Sequence, residues 1–120
     1  MDKKAKVAWE LINLIPPEAG VMATADLCAG LANRKTIYCF PYPYAKNNLL
    51  RDEKFDLERM QRFLEKVEYL LLNYEYKSYG AGEYPSFSVS EFERVVAYLI
   101  TTGKWRIFLQ KEGFTLLVKK

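Results

Sequence analysis

The chain has 120 residues, half of them hydrophobic and 28% charged, and its 18 Lys and Arg outweigh 15 Asp and Glu by a net charge of +3. This is the composition of one folded domain spanning 1–120, able to bury roughly two-thirds of its unfolded surface, and its charge is too balanced to imply nucleic acid. No histidine is present, which removes the commonest general base, the commonest zinc ligand and every Ser–His or Cys–His nucleophile.

The first helix is predicted over Lys3–Leu14, with Ala5, Ala8, Leu11, Ile12 and Ile15 at helical spacing and Pro16-Pro17 as its stop. Val21–Thr24 reads as a short strand. A second helix follows over Asp26–Asn33, with Leu27, Cys28 and Leu31 on one face. Thr36–Phe40 is β-branched and aromatic, a second strand ended by Pro41. After a polar connection, Asp56 caps a third helix with Leu57, Met60, Phe63, Leu64 and Val67 as its apolar positions. Glu68–Tyr74 is a third strand, whose Leu70-Leu71-Leu72 run suits burial on both faces. Ser88-Val89-Ser90-Glu91 forms a capping box for a fourth helix reaching Thr102, closed by Gly103. Trp105–Lys111 and Phe114–Lys119 are two last strands around the turn signal Glu112-Gly113.

This alternation predicts an α/β fold: a small Rossmann-like three-layer sandwich with a mostly parallel five-stranded sheet and a C-terminal β-hairpin. The expected strand order is 2-1-3, then 4 and 5, with the second helix on one face and the third and fourth on the other. Cys28 and Cys39 fall on predicted inward faces and are expected as buried reduced thiols. No run is long and apolar enough to span a bilayer, which takes ~18 residues, and no signal peptide leads from Met1.

The segment Ile15-Pro16-Pro17-Glu18-Ala19-Gly20-Val21-Met22-Ala23, then Leu27, Leu31, Ala32, Asn33, Arg34 and Tyr38-Cys39-Phe40-Pro41, resembles the soluble portion of a family of large bacterial and archaeal predicted membrane proteins. Those proteins are similar to polytopic glycosyltransferases that use lipid-phosphate sugar donors. The resemblance is sharpest over Leu14–Pro41 and continues through the third strand and the closing hairpin. It implies an excised, non-catalytic domain exposed outside the cytoplasm. Its partners would be the membrane-embedded part of the parent and a glycan or lipid-linked sugar, and the isolated domain is expected as a monomer. The family commonly places a Pro-His pair where this chain has Ala29 and Gly30, so any polar role of that histidine is absent here. The alternative is a free-standing cytoplasmic module that binds a small anionic ligand.

Ligands of α/β sheets gather at the carboxyl ends of parallel strands. Here those ends lead to Asp26, to Tyr42 and Tyr44, and to Asn73, Tyr74, Tyr76 and Tyr79. Tyrosine joins an apolar ring to a polar tip, as a saccharide or headgroup surface needs, although such rings also serve to cover a sheet edge. Asp26 could bind a ligand or favour its helix N-terminus. Arg34 could hold a phosphate or a carboxylate, or act as a cation at the end of the second helix or in an ion pair. Glu75 and Glu83 have no spacing that defines a catalytic pair. Gly80-Ala81-Gly82 lacks the third glycine and the helix of a dinucleotide fingerprint. No catalytic residue, cofactor or metal site is expected.

Overall fold

The computed structural model describes residues 3–31, 34–40, 57–75 and 89–120. The elements run α1 (Lys3–Leu14), β1 (Val21–Thr24), α2 (Ala25–Cys28) continuing as a 3₁₀ turn (Ala29–Leu31), β2 (Ile37–Phe40), α3 (Leu57–Leu64), β3 (Tyr69–Asn73), α4 (Val89–Thr101), β4 (Trp105–Lys111) and β5 (Phe114–Lys119).

The five strands form one sheet in the order β2-β1-β3-β5-β4. β1 pairs in parallel with β2 and with β3, whereas β5 runs antiparallel to both β3 and β4. The sheet is therefore mixed, and the expectation of a mostly parallel Rossmann-like sheet is corrected. β4 points the same way as β1, β2 and β3, because it is twice reversed through β5. The α4 crossover thus delivers a strand of the parallel sense, but leaves one slot beside β3. The hairpin folds back and fills that slot with β5, so two antiparallel pairings replace a parallel one.

Two apolar clusters sandwich the sheet. On one face, Met22, Phe40, Leu70, Leu72 and Leu117 meet Met60, Leu64, Phe92, Val96 and Leu99 of α3 and α4. On the other, Val21, Ala23, Leu71, Phe114 and Leu116 meet Val7, Leu11, Ile12, Leu27 and Leu31 of α1, α2 and the 3₁₀ turn. Successive residues of β1 and β3 feed opposite clusters, as the period of a strand requires.

Arg34 ties the segment before β2 to the end of α1. Its guanidinium donates to the carbonyls of Ile15 (3.0 Å), Ile12 (3.4 Å) and Pro16. The last carbonyls of a helix have no partner within it, and Pro16-Pro17 prevents further turns, so a planar cation with several donors suits this end. Arg34 is thus a helix-end cation, but at the end of α1 and not of the second helix, to which the sequence assigns it.

Cys28 and Cys39 form a disulfide between α2 and β2, with Cα atoms 6.3 Å apart. This corrects the expectation of buried thiols: Cys28 is half-buried and Cys39 exposed. Cys39 does share the side of β2 that carries Ile37, which packs on the α1–α2 cluster. However, β2 lies at the edge of the sheet and α2 is one turn long, so its last residue, Cys28, reaches Cys39 through the disulfide without covering it from solvent.

At the hairpin, Glu112 (φ 53°) and Gly113 (φ 84°) both adopt the left-handed conformation, as a tight two-residue β-turn of matching twist demands. The Gly113 carbonyl accepts from the Tyr74 N–H at 2.9 Å, which locks the turn to the end of β3. Gly20 answers a different need. A Cβ there would stand 3.0 Å from the Lys66 carbonyl oxygen and 3.1 Å from Val67 Cα. This close approach lets the Gly20 carbonyl accept from the N–H groups of Glu68 and Tyr69 as β3 begins.

Candidate functional site

At the carboxyl ends of β1 and β3 an open cleft of about 340 Å³ lies between α1, the 3₁₀ turn after α2, and the ends of β3 and β5. Three small residues open it. Ala5 and Ala8 lie along α1, and Gly30 faces them with no side chain. A Cβ on Gly30 would stand 3.3 Å from Ile12 Cδ1 and 3.6 Å from the Trp9 ring.

The rest of the lining is aromatic and polar. Trp9 is 46% exposed, a high value for the largest apolar side chain. Phe114 is buried, and the Lys4 ammonium lies 5.3 Å from its ring centroid. The same ammonium pairs with Glu75 and lies 3.5 Å from Asn73 Oδ1. Asn73 Oδ1 also accepts the Glu75 N–H at 3.0 Å, while the Asn73 N–H donates to Oγ1 of buried Thr24 at 3.2 Å. The end of β3 is thereby held rigid against β1. An indole ring, a cation and an amide around a small-residue floor can contact a sugar ring and hold a hydroxyl or an anionic group. The described lining holds no carboxylate, histidine or cysteine, and no cluster of three His, Cys, Asp or Glu that could hold a metal ion occurs among the described residues.

Of the sequence-predicted residues, Asn73 lines this cleft. Tyr74 does not: its half-buried ring packs with the α3–α4 cluster on the opposite face, stacked on Phe92 at 5.3 Å and 15°. Asp26 lies within α2, its side chain outside the description. Tyr42, Tyr44, Tyr76, Tyr79, Glu83 and the Gly80–Gly82 segment lie outside the described residues. Lys4, Trp9 and Phe114 are not among the expected site residues, and Gly30 enters the sequence analysis only as the position that lacks the family's histidine. The available signal was Trp9, a large apolar residue off the apolar stripe of α1.

A second cleft of about 230 Å³ sits at the other end of the sheet, between α3, α4 and the close of β5. Trp105 is buried there, with the Lys119 ammonium 5.6 Å from its ring. Desolvation lowers the Lys119 pKa from the ordinary lysine value, against the opposing pull of Glu68 and Glu65. This amine donates to the Glu65 carbonyl at 3.0 Å, so its role is to tie β5 to the end of α3.

No family model matches the chain, and neither the curated proteins nor the solved structures give a match.

Proposed function

We propose that the chain is a non-catalytic recognition domain working outside the cytoplasm, as the soluble part of a polytopic membrane protein similar to lipid-phosphate-sugar glycosyltransferases. Its cleft binds a glycan or the sugar-phosphate portion of a lipid-linked substrate, and the chemistry belongs to the membrane-embedded part. The observation that carries this reading is the cleft itself. It combines the Trp9 face, the Lys4 ammonium and the Asn73 amide at the carboxyl ends of parallel strands. Gly30, which stands where the resembled family commonly has a histidine, lines the same cleft, and its missing side chain leaves room for a ligand there. The Cys28–Cys39 disulfide supports an oxidising compartment, since such bonds are rare in the cytosol. Among the described residues no helix is long and apolar enough to cross a membrane, so the spans of this reading belong to the parent.

The test is a chemical-shift titration of the chain with a hexose phosphate and with the uncharged hexose. The expected result is perturbation of the Trp9 indole, Lys4 and Asn73 signals, stronger for the phosphate. Gly30→Leu, which fills the cleft, should weaken the response by about tenfold or more, equivalent to about 1.4 kcal/mol. Saturating sugar phosphate without a shift in these signals would overturn the assignment of the cleft.

A further inference from the structure

We propose that the β4 edge of the sheet docks on an anionic phospholipid surface. Every residue of β4 after Trp105 is exposed. α4 packs along the start of this strand, where Trp105 joins the α3–α4 cluster, but Ile107 (37%), Phe108 (44%) and Leu109 (36%) beyond it are exposed in succession. Ile100 of the neighbouring helix α4 is 40% exposed as well. Consecutive exposed apolar residues on an outermost strand are a marked surface, unlike the single apolar side chains scattered over any domain.

Charge gives the occupant. Residues 104–120 carry five basic side chains (Lys104, Arg106, Lys111, Lys119 and Lys120) against one acidic, Glu112. The segment is therefore +4 in a chain of net +3, and the other 103 residues together are −1. Lys111 is partly offset by Glu10 at 3.0 Å, and Lys119 is turned to the Glu65 carbonyl. Lys104, Arg106 and Lys120 are exposed, and the Arg106 guanidinium lies 5.9 Å from the Phe108 ring. Apolar side chains flanked by cations match the boundary between acyl chains and negatively charged headgroups.

The strand geometry favours lipid over a protein strand. Pairing of β4 with β5 shifts register between Ile107 and Leu109, leaving Phe108 as an extra residue in the ladder. Such a bulge, with basic residues on the edge, blunts the addition of another strand. Ile107 stands beside Leu117 of the α3–α4 face and Leu109 beside Leu116 of the α1–α2 face, so the apolar side chains bracket the edge from both faces, and a lipid surface needs no ladder and no shaped groove to receive that edge. This docking is independent of the ligand proposed for the cleft.

The experiment is co-sedimentation of the chain with vesicles of three parts phosphatidylcholine to one part phosphatidylglycerol, and with pure phosphatidylcholine. Binding is expected on the anionic vesicles, falling as salt rises. Arg106→Gln should weaken it about fivefold, the effect of one cation near a charged surface. Phe108→Asp should weaken it by about tenfold or more, since a half-exposed aromatic ring loses its apolar contact and a negative charge is added. Both positions are exposed, and thermal melting checks that both variants fold. Equal binding to uncharged vesicles, no binding to either, or binding unchanged in both variants overturns the proposal. It is also overturned if poly-glutamate binds as well as the vesicles do, which would make the partner an acidic protein. A stable dimer that Phe108→Asp dissociates would overturn it in favour of a second copy of the chain.

Discussion

Reduction of the Cys28–Cys39 bond should cost the fold a measurable and calculable amount. The two cysteines are 11 residues apart in sequence and join α2 to the edge strand β2. In the chain-entropy account, closing a loop of this length in the unfolded state is equivalent to about 2.8 kcal/mol of native stability at 25 °C. For a domain of 120 residues with an unfolding entropy of about 2 cal/mol/K per residue, that corresponds to a fall of about 11 °C in Tm. Urea unfolding of the oxidised chain, of the same chain in reductant, and of the Cys28→Ser, Cys39→Ser double variant measures it. The reduced chain and the double variant should agree with each other and lie lower in stability by this amount. Hydrogen exchange should localise part of the loss to β2, which among the described residues pairs with β1 alone. Midpoints that coincide within about 0.5 kcal/mol, below the ordinary stabilising range of a native disulfide, would refute the reasoning. So would two titratable thiols in folded protein secreted from an oxidising host.

Arg34→Ala should destabilise the domain by about 2–3 kcal/mol, because three carbonyls at the end of α1 lose a charged donor; Arg34→Lys should recover part of this, and chemical denaturation reads both. Gly20→Ala should cost about 1–3 kcal/mol in the same assay, since its methyl would meet the backbone of Lys66 and Val67. Tyr74→Ala should lower stability by about 1–3 kcal/mol through the lost stack on Phe92, whereas Tyr74→Phe should stay within about 0.5 kcal/mol. An equal loss in both Tyr74 variants would show that the hydroxyl, not the ring, carries the contact. The lowered Lys119 pKa is a cost at neutral pH that is relieved as pH rises through that lowered value toward 10.5. Lys119→Met should therefore flatten the alkaline gain in urea midpoint.

Where side-chain patterns answer to local geometry, the sequence was readable. Leu70-Leu71-Leu72 reads as a strand covered on both faces, and β3 lies third of five with those three side chains fully buried. The parallel pairing of the first three strands and their order follow from the helices between them. The hairpin was legible from Glu112-Gly113, but which of its arms would meet β3 was not. Trp105–Lys111 and Phe114–Lys119 both carry apolar runs, and a crossover helix leads directly into the former. The difference lies in the polar residues: Arg106, Gln110 and Lys111 suit an edge, while Phe114–Val118 holds no charge and can sit between two strands. The spacing puts Cys39 on the side of Ile37, but periodicity reports direction and not how much solvent a one-turn helix at the sheet edge excludes, and Cys39 is exposed and bridged to Cys28. The position of Asn73 at a strand end is legible, and the residue lines the cleft there. The joining of Lys4, Trp9 and Gly30 in one cleft has no local signature, because it depends on α1 crossing that end of the sheet.

The insertion of β5 between β3 and β4 also sets a timetable for synthesis. During translation the inner edge of β3 waits for its partner until about 40 further residues have been made, from Asn73 to Phe114, which at 5–20 residues per second is about 2–8 s. Through that interval the backbone donors and acceptors of Leu70, Leu71 and Leu72 on that side lack their eventual partners. A nascent chain stalled between the two strands carries a naked apolar edge, the kind of surface that recruits chaperones or joins a second nascent chain. Ribosome pausing just before residue 114 should therefore lower the soluble yield more than pausing before α1 is complete.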